Sequence, residues 1–362
     1  IDPVELGGAP FALTLDTAVN CLAQEVGLRF NSATRVYLLP CIAGHVGADA
    51  AGAVLAEAPQ DSEEITLLID IGTNAEIILG NCHHLMAASS PTGPAFEGAQ
   101  ISSGQRAAVG AIERVRINPN NYEPIYKVIG SDQWSDSANF LKEVKKTGLT
   151  GICGSGIIEI IAEMYLAGII SEDGVINGAL SSKTKRIEKS GRTFCYKVTE
   201  QIAITQADVR AIQLAKAALY AGFRLLMDKM GVEKVDKVIL AGAFGTHIEP
   251  KYAMILGMVP DCELKNVIGA GNSAGAGARM ALLSLMARTE IEKIVRQIDK
   301  IETAIEPAFQ DHFVRAMAFP HKTDPYLLLS KAIKLPHREL IDNIVSASTN
   351  SKRKRTGRRA RP

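Results

Sequence analysis

"LLIDIGTNAEIIL", residues 67–79, decides how the rest of the chain is read. An apolar run from Leu67 through Ile69 ends at Asp70, turns through Gly72, Thr73 and Asn74, and resumes at Ile77, Ile78 and Leu79, which predicts a β-hairpin. Gly72 has no Cβ, so the backbone there can come close to an anion, and the turn's N–H groups with the Thr73 hydroxyl can donate to phosphate oxygens. Asp70, at the strand end, can hold Mg²⁺ directly or through water. The plainer alternative is an ordinary hairpin closed by a polar turn.

A second segment gives that hairpin weight. In "KVILAGAFG" (237–245) a buried-type strand runs into Gly242, Ala243, Phe244 and Gly245, where small residues let adenine and ribose lie against the main chain. A glycine pair after a strand is a weak signal alone; downstream of the Asp70 hairpin it predicts that the two segments reach opposite ends of one ATP molecule. Two further stretches, "IAGHVGADAAGAVL" (42–55) and "GAGNSAGAGARMAL" (269–282), read as helices with small faces. Glycine in a helix costs about 1 kcal/mol relative to alanine, so its repetition predicts close packing, either at a hinge between lobes or in a tight core crossing.

Residues 86–104 are rich in Ser, Gly and Pro and read as a loop, with Glu97 as its one carboxylate. Glu97 can orient water or Mg²⁺ near a γ-phosphate, or simply close a turn. "GICGSG" (151–156) leads into a helix, so Gly154, Ser155 and Gly156 would stand at an N-terminus suited to an anion, with Ser155 as an N-cap the plainer reading. Thr205 predicts the N-cap of a long helix over 208–230, closed by Gly231. Apolar spacing at Leu13, Ala18, Cys21, Leu22 and Val26 predicts a helix over 11–26, stopped by Gly27. "TEIEKIVRQIDKIET" (289–303) has helical spacing of apolar and charged residues.

The chain of 362 residues is 47% hydrophobic and 22% charged, enough for two domains or one elaborated domain. A net charge of +1 argues against bulk attraction to nucleic acid, and the basic run 351–362 reads as a solvated, disordered tail. Six cysteines lie far apart with no CxxC pair, which fits neither a zinc site nor a disulfide framework and favours a reducing, cytoplasmic compartment. Cys82, His83 and His84 are consecutive, but three successive residues of a strand cannot all face one metal. No stretch approaches 18 uninterrupted apolar residues and no charged leader precedes an apolar core, which argues against membrane spanning and secretion.

In order, the four glycine-bearing segments resemble the connect-1, phosphate-2, adenosine and connect-2 elements of the acetate and sugar kinase, heat-shock chaperone and actin superfamily. A closer resemblance, to the reductive activators of corrinoid proteins, is carried by "VYLLPCIAGHVGADAAGAVL" (36–55), "LLIDIGTNAEIILGN" (67–81), "GPAFEGAQISSGQRAAVGAIERV" (93–115), "GICGSGIIEIIAEMYLAGII" (151–170), "ITQADVRAIQLAKAALYAG" (204–222) and "LAGAFGTHIEPKYAMILGMVPD" (240–261). It extends to about Pro320. The resemblance implies an α/β, ribonuclease H-like ATPase fold of two lobes, a mixed sheet flanked by helices, with the first lobe incomplete. It divides the chain into a lobe I remnant with the connect-1 helix (1–60), lobe II (61–290), carboxy-terminal helices (291–345) and the basic tail (346–362).

Such activators use ATP to drive reduction of Co(II) to Co(I) in the corrinoid (cobalamin-binding) protein of a methyltransferase system. They carry an amino-terminal [2Fe-2S] domain, whose C-x₄-C-x₂-C spacing is missing from this chain. The expectation is therefore the carboxy-terminal portion of a longer activator, with ATP and Mg²⁺ as its ligands, the iron–sulfur cluster outside it, a corrinoid protein as partner and a homodimer among its allowed assemblies. By analogy with helices lining the superfamily's cleft, Lys216 would reach adenine or ribose; a solvated lysine is the alternative. Ala75 would place a methyl group in the phosphate turn, where the family more often has glycine. Two rival readings stand beside this one. A small-molecule kinase would use Asp49 or Glu97 as its substrate-side base, and a nucleotide-sensing or dimerisation module would be non-catalytic.

Overall fold

The computed structural model describes residues 13, 15–245 and 247–336. The hairpin forms as β3 (Thr66–Ile71) and β4 (Ala75–Gly80), which follow β1 (Val19–Leu22), β2 (Arg35–Leu38) and α1 (Ala48–Glu57). β4 turns back into β5 (Leu85–Ser90), so residues 86–90, expected as loop, complete an antiparallel meander. Their side chains are small enough to pair beside β4, and that pairing outweighs the weak strand propensity of Ala and Ser.

Alternation along these strands separates two cores. Leu67, Ile69, Ile77 and Leu79 enter one core, whereas Leu68, Ile78, Leu85 and Ala87 enter the other. A sheet buried on both faces needs helices on both sides. Before the sheet is completed the chain adds β6 (Ala111–Ile117), β7 (Pro124–Val128), α2 (Phe140–Thr147), β8 (Gly151–Ile152) and α3 (Gly154–Leu166). It continues through β9 (Ile187–Ser190), β10 (Thr193–Lys197), β11 (Ala203–Thr205) and α4 (Gln206–Met230). β6, β7 and β8 make one three-stranded sheet, and β9, β10 and β11 another.

Then come β12 (Lys237–Ala241), α5 (Gly242–Gly245), α6 (Pro250–Leu256), β13 (Val267–Gly271), α7 (Ser273–Leu283), α8 (Leu285–Ile294) and β14 (Ile298–Lys300). β12 and β13 run parallel to β3, and β14 parallel to β5. The six-stranded order is β13-β12-β3-β4-β5-β14. The chain closes through α9 (Pro307–Arg315) and α10 (Leu327–Ala332). Residues of α3, α4 and α6 cover the first core, and those of α1 and α8 the second. α1, expected in a separate lobe remnant, thus packs on the same sheet as the hairpin.

Thr205 caps α4 with a reciprocal Asp208 contact, and Gly231 closes it in the left-handed region at φ 73°, as its sequence predicts. The small-faced helices also meet: α1 crosses α7 so closely that a Cβ on Gly277 would overlap the Gly52 carbonyl. Over 11–26 the expectation is corrected, because the described residues form β1 and a short 3₁₀ turn, with β1 paired to β2 from Val19↔Leu38 to Leu22↔Arg35. Val26, a member of the supposed apolar stripe, is 47% exposed, so the spacing marks no buried face; Phe11 lies outside the described residues. Gly27 still ends the turn at φ 75°. Within 289–303 the helix stops at Ile294, and Ile298 pairs with Leu85 at the sheet edge. The basic run 351–362 lies outside the described residues. Among the described residues no helix is long and apolar enough to cross a membrane.

Candidate functional site

The site begins where β3 leaves the sheet. The Gly72 N–H donates to Asn74 O at 2.9 Å, and the Gly93 N–H donates to Thr73 O at 2.8 Å. The Thr92 hydroxyl donates to Gly72 O at 3.0 Å and to Thr73 O at 3.1 Å. These bonds hold the turn while Thr73 and Asn74 stay exposed. Ala75 lies beyond the turn: it starts β4, is fully buried, and pairs with Ile71 and Ser90, so its methyl enters the core. The Thr73 hydroxyl donates to Glu97 Oε1 at 3.2 Å, bringing the loop carboxylate to the turn.

β12 lies beside β3 with Ala241 opposite Asp70. Gly242 follows at φ 83°, a conformation that L side chains rarely adopt, and a Cβ there would stand 2.5 Å from Asp70 Oδ1. The two segments therefore meet as neighbours at one point, because parallel pairing aligns their ends; they do not stand a nucleotide's length apart. Gly245 packs its Cα against Leu240. The side chains of Ala243 and Phe244 lie outside the described residues.

β8 delivers the third part. Cys153, not Ser155, is the N-cap of α3, and its side chain makes no capping bond. Ser155 sits one turn-position inside the helix, where its hydroxyl donates to Glu113 O at 3.3 Å. Gly156 serves packing, since a Cβ there would overlap Ile112 O. The first N–H groups of α3 remain available to an anion.

A cavity of about 630 Å³ is lined by Asp70, Glu97, Gly154, Ser155 and Gly242, whereas Gly72, Thr73, Asn74, Asp49, Gly156 and Gly245 lie outside its lining. That volume is in the range of small-molecule sites. It also exposes Arg106 and His247, which the sequence reading passed over. Both were visible only as neighbours of glycine motifs, Arg106 in "SSGQRAAVG" and His247 two residues after Gly245.

Electrostatics at the strand end are strongly acidic. Burial, and then Asp49, push the Asp70 carboxyl above its ordinary range. Directly across the hairpin, Glu76 is pushed up to about 7 by burial first and then by Asp49, with Asp70 adding to the shift. Asp49 lies in the first turn of α1, where its Oδ1 accepts the Ala50 N–H at 2.9 Å. Glu76 was missed because nothing in its own motif marks it; only the register Asp70↔Glu76 reveals that both face α1. Among the described residues these three carboxylates do not gather into one ligand sphere, so what is offered to Mg²⁺ here is the Asp70 carboxylate, with water filling the remaining positions.

The sign of the Glu76 contribution follows from its raised value. It is full below the unfolded value of 4.5 and is lost as pH rises through about 7. Denaturant melts of the metal-free chain at successive pH values are expected to show stability falling over that window. Glu76→Gln should flatten the fall.

Lys216 corrects its expectation. It is fully buried in α4, outside the cavity lining, and its Nζ donates to Ala318 O and Pro320 O, each at 2.6 Å. Burial pulls its pKa well down. Long side chains usually carry their amine to water, but here the carbonyls of Ala318 and Pro320 hold it inside. Lys216→Ala should lower stability by about 2–5 kcal/mol in denaturant melts, through a cavity and two unpaired carbonyls, and leave nucleotide affinity unchanged.

No cluster of cysteines forms among the described residues: all six are free, and none meets another in a shared metal-ligating group. The residues present do not fit a [2Fe-2S] centre.

Comparison with known proteins agrees with the geometry. Residues 64–328 match the family described as the C-terminal domain of RACo, the ASKHA domain, and residues 1–61 match the RACo middle region. The mixed sheet with its flanking helices is thus the actin-like α/β fold of a nucleotide-binding superfamily. The chain is 35% identical over 334 residues to "Corrinoid activation enzyme RamQ" of Eubacterium limosum, covering 88% of this chain and 53% of that protein. With "[Co(II) methylated amine-specific corrinoid protein] reductase" of Methanosarcina barkeri the identity is 26% over 316 residues, covering 84% and 55%. A solved "Reductive activator for corrinoid,iron-sulfur protein" superposes with a TM-score of 0.78 at 34% identity, covering 88% of this chain and 50% of that one. The chain spans about half the length of these relatives.

Proposed function

The chain belongs to the RACo family, and from that membership we propose that it is the ATP-binding part of an activator that drives reduction of Co(II) to Co(I) in a corrinoid protein of a methyltransferase system. The observation that carries this reading is the meeting of Asp70, Gly242 and the α3 N-terminus around one cavity.

Within it, the roles of the chain's own groups follow from their chemistry. Asp70, whose carboxyl burial and Asp49 hold above its ordinary range, would hold the cation. Mg²⁺ bound there neutralises charge on phosphate oxygens. The N–H groups of Thr73 and Asn74 and of the first turn of α3 would donate to phosphate, joined by the Thr73 hydroxyl once it turns from Glu97. Glu97 would accept a proton or hold a water beside the turn, and Gly242, lacking a Cβ, lets the backbone after β12 come close to Asp70 at the cavity wall.

Energy would enter as conformation: closure at the α1–α7 crossing alters the grip on the corrinoid protein, and the electron comes from a separate reductant. The dispersed free cysteines accord with a reducing cytoplasm.

Phosphate release from Mg²⁺-ATP, measured with and without a cobalamin-loaded corrinoid protein, tests the proposal. Turnover stimulated by that partner is expected. Stimulation by a sugar or carboxylate acceptor instead would make the chain a kinase, and nucleotide binding without turnover a sensing module.

A further inference from the structure

At the opposite end of β3 from Asp70 lies a group of side chains with a different chemistry. The turn between β4 and β5 is held against the residues that enter β3: the Cys82 N–H donates to Ser62 O at 2.8 Å, and Asn81 Nδ2 donates to Glu63 O at 3.0 Å. Within the turn the Asn81 N–H donates to His84 O at 3.0 Å, and the His83 N–H donates to Asn81 Oδ1 at 3.1 Å. This frame sets the thiol of Cys82 and the imidazole of His83 beside the Glu63 carboxylate. His83 Nε2 stands 2.9 Å from Glu63 Oε2, and the three donor atoms lie within 4.8 Å of one another.

Alternation along a strand argues against three consecutive metal ligands, and His84 does turn away, to Asp299 Oδ2 at 2.7 Å. Cys82 and His83, however, lie in a turn where alternation does not apply, and Glu63 supplies the third donor from a separate segment.

We propose that Glu63, Cys82 and His83 bind a divalent transition-metal ion of the zinc class. One thiolate, one imidazole and one carboxylate make a set that suits Zn²⁺ or Co²⁺, whereas Mg²⁺ prefers oxygen donors alone. All three side chains are exposed, so a fourth position is open to water. Rotation of exposed side chains is enough to close the triangle around an ion, with no backbone movement. Four residues of β3, Thr66–Ile69, at about 3.3 Å each put this place more than roughly 13 Å from Asp70, so the ion does not share the nucleotide's cation site. Bound there, it ties the approach to β3 to the β4–β5 turn and strengthens the central meander.

The test is a Co²⁺ titration of the full chain, stripped with a chelator and kept reduced, followed by absorption. One equivalent is expected to produce a thiolate-to-cobalt charge-transfer band that Zn²⁺ erases and excess Mg²⁺-ATP does not. Cys82→Ser should abolish the band and Cys21→Ser should retain it. His83→Ala and Glu63→Gln should each weaken binding by about 10-fold or more. Zn²⁺ should raise the melting temperature of the parent chain and not that of Cys82→Ser. Absence of the band in the folded parent chain, or its survival in Cys82→Ser, overturns the proposal.

Discussion

Asp70→Asn is expected to lower Mg²⁺-ATP turnover by at least about 100-fold, a loss near 2.7 kcal/mol of transition-state stabilisation. Asparagine keeps the size of the side chain and its place opposite Glu76, but it cannot neutralise a cation. Stability should move the other way. In the native chain Asp70 is half-buried, near Asp49 and Glu76, and its carboxyl is raised by burial and by Asp49. Removing that charge relieves repulsion, so the variant should unfold at equal or higher denaturant concentration at neutral pH. Lost turnover with retained or increased stability separates a functional carboxylate from a structural one. Turnover within a few-fold of the parent would remove Asp70 from the site.

Gly277→Val should have the largest effect on folding. A Cβ at this position would overlap the backbone oxygen of Gly52, an atom that no rotamer change can move aside. α1 must then shift from α7, opening the second core around Val54, Leu55 and Leu68. Overpacking of this kind is expected to cost about 3 kcal/mol or more, seen as a lower denaturation midpoint. Valine tolerated here at parental stability would mean that the crossing is loose.

Legibility in the sequence followed the range of the interaction. The hairpin, the strand before Gly242 and the caps of α4 are local patterns, and each appears where its residues predict; the small-faced helices form only over Ala48–Glu57 and Ser273–Leu283, since 42–47 turns before α1 and 269–271 pairs with β12 as the end of β13. Residues 19–22 carry helical spacing yet form a strand, because pairing with β2 is a contact that spacing cannot express. Lys216 reads as a solvated or ligand-reaching cation until the 318–320 segment folds over it. Ser155 looks like a cap, but the helix starts one residue after β8 and Cys153 takes that place.

The candidate site is half visible for the same reason. Asp70, Glu97, Gly154, Ser155 and Gly242 line one cavity, Arg106 and His247 join them only through the fold, and Glu76 stands outside that lining, coupled to Asp70 by strand register. The closeness of the hairpin and the glycine step is not legible, since parallel pairing of β12 with β3 is invisible in either motif alone. Strand alternation sets consecutive Cys82 and His83 on opposite sides, but they lie between β4 and β5, where the chain turns.

A crystal structure of the chain grown with Mg²⁺ and a non-hydrolysable ATP analogue tests the central claim most directly. The analogue is predicted to lie in the cavity of Asp70, Glu97 and Gly242, with a cation beside Asp70 and phosphate oxygens against the Gly72–Asn74 turn and the first turn of α3. Density for it elsewhere, such as the separate cleft of Tyr220, Arg224 and His321, with the Asp70 cavity holding only water, would contradict the account.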